Sequence, residues 1–204
     1  RDASGGTWDL FRYPGIRSDS DMLTLGYPFR PWTESTPLAD GPTIKRYVEE
    51  TAREYGVDRR IRFGHRVSGA RWSSVDARWT LDVDTADGRL ALTCSFLYAC
   101  TGYYRYDRGH EPDIPGREGY LGRVVHPQLW PDDLEVEGRR VVVVGSGATA
   151  VTLVPTLAES AAHVVMLQRS PTYITALPSR DRVADALRRV LPQQAAYRAA
   201  RAKS

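Results

Sequence analysis

Cysteine is scarce: two in 204 residues, Cys94 and Cys100. They flank the apolar run Phe96–Leu97–Tyr98 and lack metal-ligand spacing. That excludes a zinc site or a disulfide scaffold and predicts a reducing, cytoplasmic setting. Long apolar runs are missing too. None approaches the ~20 residues that cross a bilayer, and no signal-peptide pattern opens the chain. Charge is nearly balanced, with 28 Lys+Arg against 25 Asp+Glu and a net charge of +3. The densest basic stretch (Arg188, Arg189, Arg198, Arg201, Lys203) alternates with Ala and Leu, as a solvated helix face does, so no nucleic-acid partner is expected. Internal repeats and low-complexity segments are also lacking. What remains is 42% hydrophobic and 26% charged, a globular composition long enough for one or two domains.

The chain opens on Arg1 and a Gly-rich turn with no strand ahead of it, and closes at Ser204 in an uncapped helical pattern. A fragment of a longer protein is expected. Residues 1–40 are rich in Gly, Pro, Asp and Ser, with Trp8, Phe11, Tyr13, Tyr27, Phe29 and Trp32 among them. This reads as a long ordered loop region, and such loops are commonly functional. Asp40-Gly41-Pro42 starts a helix whose apolar positions Ile44, Tyr47, Val48, Ala52 and Tyr55 share one face, and Gly56 ends it. Strands are predicted at Ile61–Val67 and at Arg78–Asp84, the second returning through an Asp87-Gly88 turn to Leu90 and Leu92. Phe96–Cys100 reads as a short buried strand ending at Thr101-Gly102. Arg140–Val144, with four consecutive valines, has the pattern of a parallel strand buried on both faces, and His163–Gln168 is the next strand.

Between those last two strands lies VVVVGSGATA, a strand running into G-x-G-x-x-A and then a helix. Gly145 permits the tight turn, Gly147 lets backbone approach a pyrophosphate, and Ala150 lets helix and strand pack closely. Ser146, Ala148 and Thr149 complete the turn at the helix N-terminus, where phosphate is favoured. A bare glycine pattern is weak, but the strand before it and the helix after it favour dinucleotide binding over an ordinary packing turn. An NAD site places an acid about 20 residues on, to hold the ribose 2′-hydroxyl. This chain instead has Gln168-Arg169-Ser170. A cation and a hydroxyl there suit a 2′-phosphate, so NADPH is expected rather than NADH.

The connector holds a second pattern. Gly122, His126 and Trp130 recur four apart, with Tyr120 two before the glycine, while Pro127 and Pro131 forbid a long helix. At the front, Gly5-Gly6 permits close backbone approach to a ligand and Trp8 offers a flat face. Arg17, Ser18 and Asp19 add a charge pair and a hydroxyl. Alone, this front loop reads better as a packed surface loop than as a ligand site.

Taken together, GGTWDLFRYPGIRSDSD, the ACTGYY run at 99–104, the connector at 120–131 and GSGATA…QRSPTY resemble the flavin-dependent class B monooxygenases, more narrowly the Baeyer–Villiger type. The resemblance runs in the same order along nearly the whole chain. The family fingerprint F-x-G-x-x-x-H-x-x-x-W followed by P or D is met by Tyr120, Gly122, His126, Trp130 and Pro131, with Tyr in place of Phe. The implied fold is α/β, a two-dinucleotide-binding-domain flavoprotein: a partial FAD domain at 1–102 lacking its first βαβ unit, a linker at 103–138, and the start of a Rossmann NADP domain at 139–204. Gly6, Thr7, Trp8, Asp9 and Leu10 match the segment along the flavin. Asp19 matches the acid near the flavin ring, with Arg17 and Ser18 towards the nicotinamide. Val67, at a strand end, matches the position whose backbone meets the adenine of FAD. Thr101-Gly102 matches the turn by which the chain leaves the FAD domain. His126 becomes a hinge and hydrogen-bonding residue.

The activity implied is that NADPH reduces FAD, O2 gives a C4a-peroxyflavin, and oxygen is inserted into a ketone or placed on a thioether or thioamide sulfur. Asp19 would act through the flavin environment and through an arginine that the family carries later in the NADP domain, which no residue here is assigned to. Three alternatives stand beside this reading. One is an N- or S-oxygenating flavin monooxygenase without ketone activity. Another is a disulfide reductase, which Cys94 and Cys100 serve poorly with five residues between them. The third is a non-catalytic NADP-binding module.

Overall fold

The computed structural model of the chain describes residues 1–176 and 178–203. Within the aromatic front region stand two single-turn helices, α1 (Thr7–Leu10) and α2 (Met22–Leu25). The Asp21 carboxylate caps α2 by accepting from the Thr24 amide at 2.9 Å. Helix α3 (Gly41–Glu54) starts as its sequence requires: the Asp40 carboxylate accepts from the Thr43 amide at 2.7 Å, and Pro42 occupies the first turn, where its missing N–H is harmless. Ile44, Tyr47 and Thr51 form its buried face.

Three strands follow as an antiparallel sheet, β1 (Arg66–Ser73), β2 (Arg78–Thr85) and β3 (Gly88–Cys94), in the order β1-β2-β3. Gly88 makes the hairpin turn at φ +119°, and Trp72 faces Trp79 across β1 and β2. The predicted strand Ile61–Val67 is displaced. Residues 61–65 are irregular, and the strand begins at Arg66 because its ladder is set by β2, where Asp84 lies opposite Arg66. Val67 therefore sits at the start of a strand, not at an end. Phe96–Cys100 is not a strand either. Phe96 and Tyr98 are exposed, and no strand among the described residues pairs with this run. An apolar run becomes a buried strand only where neighbours supply a ladder and two covering faces.

The nucleotide-type unit forms as expected. Strands β4 (Arg140–Val144) and β5 (His163–Leu167) pair in parallel, with helix α4 (Ala148–Ala158) crossing between them. Val143 is buried and Val164 packs with it on the α4 side, whereas Val142, Val144, Val165 and Leu167 are exposed. The valine run is thus covered on one face among the described residues, not on both. Two further helices close the chain, α5 (Arg182–Val190) and α6 (Gln193–Lys203). Of the basic tail, Arg189, Arg198 and Lys203 are exposed, whereas Arg188 donates to the Trp32 carbonyl and Arg201 to the Tyr197 hydroxyl, and Ala184, Ala196, Tyr197 and Ala200 are buried.

Two cores result. In the first, Met22, Leu23, Trp32, Ile44 and Tyr47 pack with Ala184, Tyr197 and Ala200. The Tyr47 hydroxyl donates to the Arg30 carbonyl at 2.5 Å and accepts from the Tyr27 amide at 2.8 Å. The Tyr197 hydroxyl donates to the Gly26 carbonyl at 3.2 Å. In the second, Phe11 and Tyr13 pack with Val143, Ala150, Leu153 and Leu157. Each core joins the front loop to residues beyond 139. No helix among the described residues is long and apolar enough to cross a membrane.

Candidate functional site

The site is built around the turn after β4. Gly145 has φ +120°, a value that glycine adopts freely, and its amide donates to the Leu167 carbonyl at 2.8 Å. Gly147 caps α4 with φ −76° and ψ −177°, extended geometry open to any residue. A Cβ on Gly147 would meet nothing within 4 Å. The chain itself therefore has no use for a glycine there. Its missing Cβ leaves room for something outside the chain, at a helix N-terminus whose first amides have no side-chain cap. Ala150 is buried against β4, the close helix–strand packing expected of it. Ser146 Oγ lies 2.8 Å from the Thr172 hydroxyl and donates to the Ser170 carbonyl at 3.4 Å. This brings the segment after β5 to the glycine turn. Arg169, its neighbour, is exposed and forms no ion pair among the described residues.

The front loop reaches the same place. Gly6 holds φ +55° with open space where a Cβ would stand, and the amides of Asp9 and Leu10 both donate to its carbonyl. Asp9 is gripped by Lys45 of α3 at 2.7 Å. Leu10 packs on the second core and Trp8 on the first. Tyr13 is buried and its hydroxyl is hydrogen-bonded to the Thr149 side chain, one residue into α4. Burial and then the Asp19 charge push the Tyr13 hydroxyl above the ordinary tyrosine range, and the Thr149 bond partly offsets this.

Asp19 is exposed, and its charge reaches the Tyr13 and Tyr104 hydroxyls of an aromatic cluster. Phe11 meets Tyr104 edge-on at 4.9 Å between ring centroids, and Tyr103 lies 4.5 Å from Tyr104. The Tyr104 hydroxyl is pushed up to about 12, first by its hydrogen bond with Tyr103, then by burial, with Tyr13 and Asp19 adding to it. Thr7 Oγ1 lies 3.4 Å from the Tyr106 hydroxyl. Thr7 and the turn at Thr149 are thus brought to one group of tyrosines, within range of the Asp19 charge. Ser18 is placed otherwise: its hydroxyl is buried and donates to the Ser20 carbonyl at 2.6 Å. Arg17 bridges to Asp40 through the backbone. Thr101 and Gly102 are exposed, with Gly102 at φ +70°. Val67 lies in the separate β1–β3 sheet, opposite Val83.

The connector folds upon itself. His126 Nδ1 accepts from the Gln128 amide at 3.2 Å, capping a short turn at Pro127–Leu129. A Cβ on Gly109 would overlap the His126 ring, and one on Gly122 would overlap the Tyr120 ring. Each ring thus lies over a glycine. Trp130 packs on the second core. Gln128 is buried, and its side-chain amide donates to the Arg105 carbonyl. Sequence reasoning gave no role to Tyr106, Gln128 or Lys45. Tyr13 carried a signal only as one of the front-loop aromatics, and Tyr104 only inside the ACTGYY run.

With this geometry in place, the comparisons fix the family. The flavin-binding monooxygenase-like family model matches residues 26–185. The chain belongs to that family. It is 56% identical to the FAD-containing monooxygenase EthA of Mycobacterium tuberculosis (strain CDC 1551 / Oshkosh), over all of this chain and 42% of EthA. The structure of oxidized steroid monooxygenase bound to NADP matches at TM-score 0.75 and 31% identity, over 97% of this chain and 37% of that one. Cyclohexanone-bound cyclohexanone monooxygenase matches at TM-score 0.75 and 26% identity, over the same shares. The chain thus spans less than half the length of the curated relatives it matches. Its fold is that of part of a two-dinucleotide-binding-domain flavoprotein.

Proposed function

We propose that this chain is part of an FAD- and NADPH-dependent monooxygenase that oxygenates small molecules. Residues 1–102 serve the FAD side, 103–138 link, and 139–204 begin the NADP-binding domain. The observation that carries this is the open side of Gly147, a glycine unexplained by packing or by φ, at an uncapped helix N-terminus. The turn from Gly145 to Ala150 would hold the NADPH pyrophosphate, and Arg169 with Ser170 would meet the 2′-phosphate. Gly6 to Leu10 would lie along the flavin, with Asp19 near its ring. Bound FAD would supply the redox chemistry, with NADPH as reductant and O2 as oxidant, that places oxygen on a ketone or on sulfur. The residues here position both groups and set the charge about them. The fingerprint at Tyr120, Gly122, His126 and Trp130, together with the cyclohexanone-bound relative, favours a ketone.

Gly147→Ala tests the nucleotide reading. Its backbone accepts alanine, so unfolding stability should stay within about 0.5 kcal/mol of the parent. NADPH binding, followed by calorimetry, should weaken at least tenfold. Unweakened binding sinks the reading. Offering the FAD-loaded full chain a cyclic ketone and a thioether then separates ketone from sulfur oxygenation.

A further inference from the structure

Gly15 stands in the turn after Pro14 at φ +73°, a backbone conformation that side chains rarely adopt. It abuts α4. A Cβ there would overlap the Thr156 hydroxyl and come within 3.1 Å of the Thr152 carbonyl oxygen. Both threonines turn their hydroxyls back along the helix. Thr152 donates to the Ala148 carbonyl at 3.0 Å and Thr156 to the Thr152 carbonyl at 3.1 Å. The seam between loop and helix is therefore set by shape, with the loop backbone laid directly on α4. The residues on either side of Gly15 continue it: Phe11, Tyr13 and Ile16 pack with Leu153, Val154 and Leu157. The same helix opens on Gly147, and the same loop carries Asp9 and Asp19.

We propose that Gly15 is a positioning residue. It sets the closest approach of the flavin-side loop to α4, and so the alignment of nicotinamide with flavin for hydride transfer. This rests on the FAD and NADPH reading above. In that step NADPH would give up a hydride and become NADP⁺, while the oxidised flavin would take up the hydride and become the reduced anion. Such transfers need near-contact geometry, and a misplacement of about 1 Å slows them about a hundredfold.

The test is anaerobic stopped-flow reduction of the FAD-loaded full-length protein of which this chain is part. Gly15→Ala should retain FAD and still be reduced by dithionite at the parent rate. Its reduction by NADPH should slow tenfold or more, and Gly15→Ala/Thr156→Ala should recover much of that loss. Parent-like reduction by NADPH in Gly15→Ala, or no recovery in the double variant, overturns the proposal. Should Gly15→Ala not fold, Thr156→Leu crowds the seam from the helix side and should slow reduction likewise. An unaltered rate in that variant also overturns it. In flavin-free protein, Gly15→Ala should speed amide exchange along 152–156, and unchanged protection counts against the seam. Failure of the unsubstituted protein to be reduced by NADPH would instead remove the cofactor reading, and the proposal with it.

Discussion

The Lys45 ammonium lies 2.7 Å from the Asp9 carboxylate, and Glu49 approaches the same ammonium at 3.5 Å. Lys45 thereby ties α3 to α1. A single helical turn cannot hold itself in water, and α1 has only Gly6 at its N-cap, with no side-chain cap. The hydrogen bond with Asp9, ahead of the other charges, raises the Lys45 pKa, so the cation persists across the working pH range.

Lys45→Met should therefore loosen the Gly6–Leu10 segment and weaken FAD binding several-fold, with Lys45→Arg close to the parent. Flavin fluorescence titration of the flavin-free protein measures this. Equal affinities for all three proteins would break the link between this ion pair and the flavin loop.

Asp40→Ala removes the carboxylate that caps α3 through the Thr43 amide. The expected loss is about 1 kcal/mol of stability, read from urea unfolding. Asp40→Asn should recover most of it, because an amide oxygen accepts the same bond.

Asp181 caps α5 by accepting from the Val183 and Ala184 amides at 3.0 Å each, and meets Lys203 of α6 at 2.8 Å. Lys203 first, then the Ala184 amide, holds its pKa below the ordinary 3.8. A depressed carboxylate contributes its full stabilisation above the unfolded-state pKa and loses it as pH falls through the folded-state value. Asp181→Asn should be less stable than the parent at neutral pH. The gap should close by about pH 2, where both positions are uncharged. A gap independent of pH would mean that charge plays no part.

Arg169→Ala should raise the KM for NADPH tenfold or more while scarcely moving that for NADH. Parallel changes for the two cofactors would count against contact with a 2′-phosphate.

The nucleotide-type unit was legible because its information is local. Four valines, two glycines and a small residue at fixed spacing specify β4, the turn and α4 with little help from elsewhere. The α3 helix was legible for the same reason, through Asp40, Pro42 and one apolar face. The errors fall where distant partners decide. Arg66 begins a strand because Asp84 lies opposite it, and Phe96–Cys100 lacks a strand beside it among the described residues. The candidate site was half legible. Gly145, Gly147 and Ala150 stand where their spacing puts them. The gathering of Tyr13, Tyr104 and Tyr106 around Phe11 depends on chain segments about ninety residues apart, and no periodicity records it.

The buried Gln128 amide, held by the Arg105 carbonyl at a sequence separation of 23, pinches off a loop within the connector. Chain length inside a closed loop adds no slack between the segments it joins. The tether between front and back halves is thus functionally much shorter than its sequence, and a shorter tether raises the effective concentration of one half at the other.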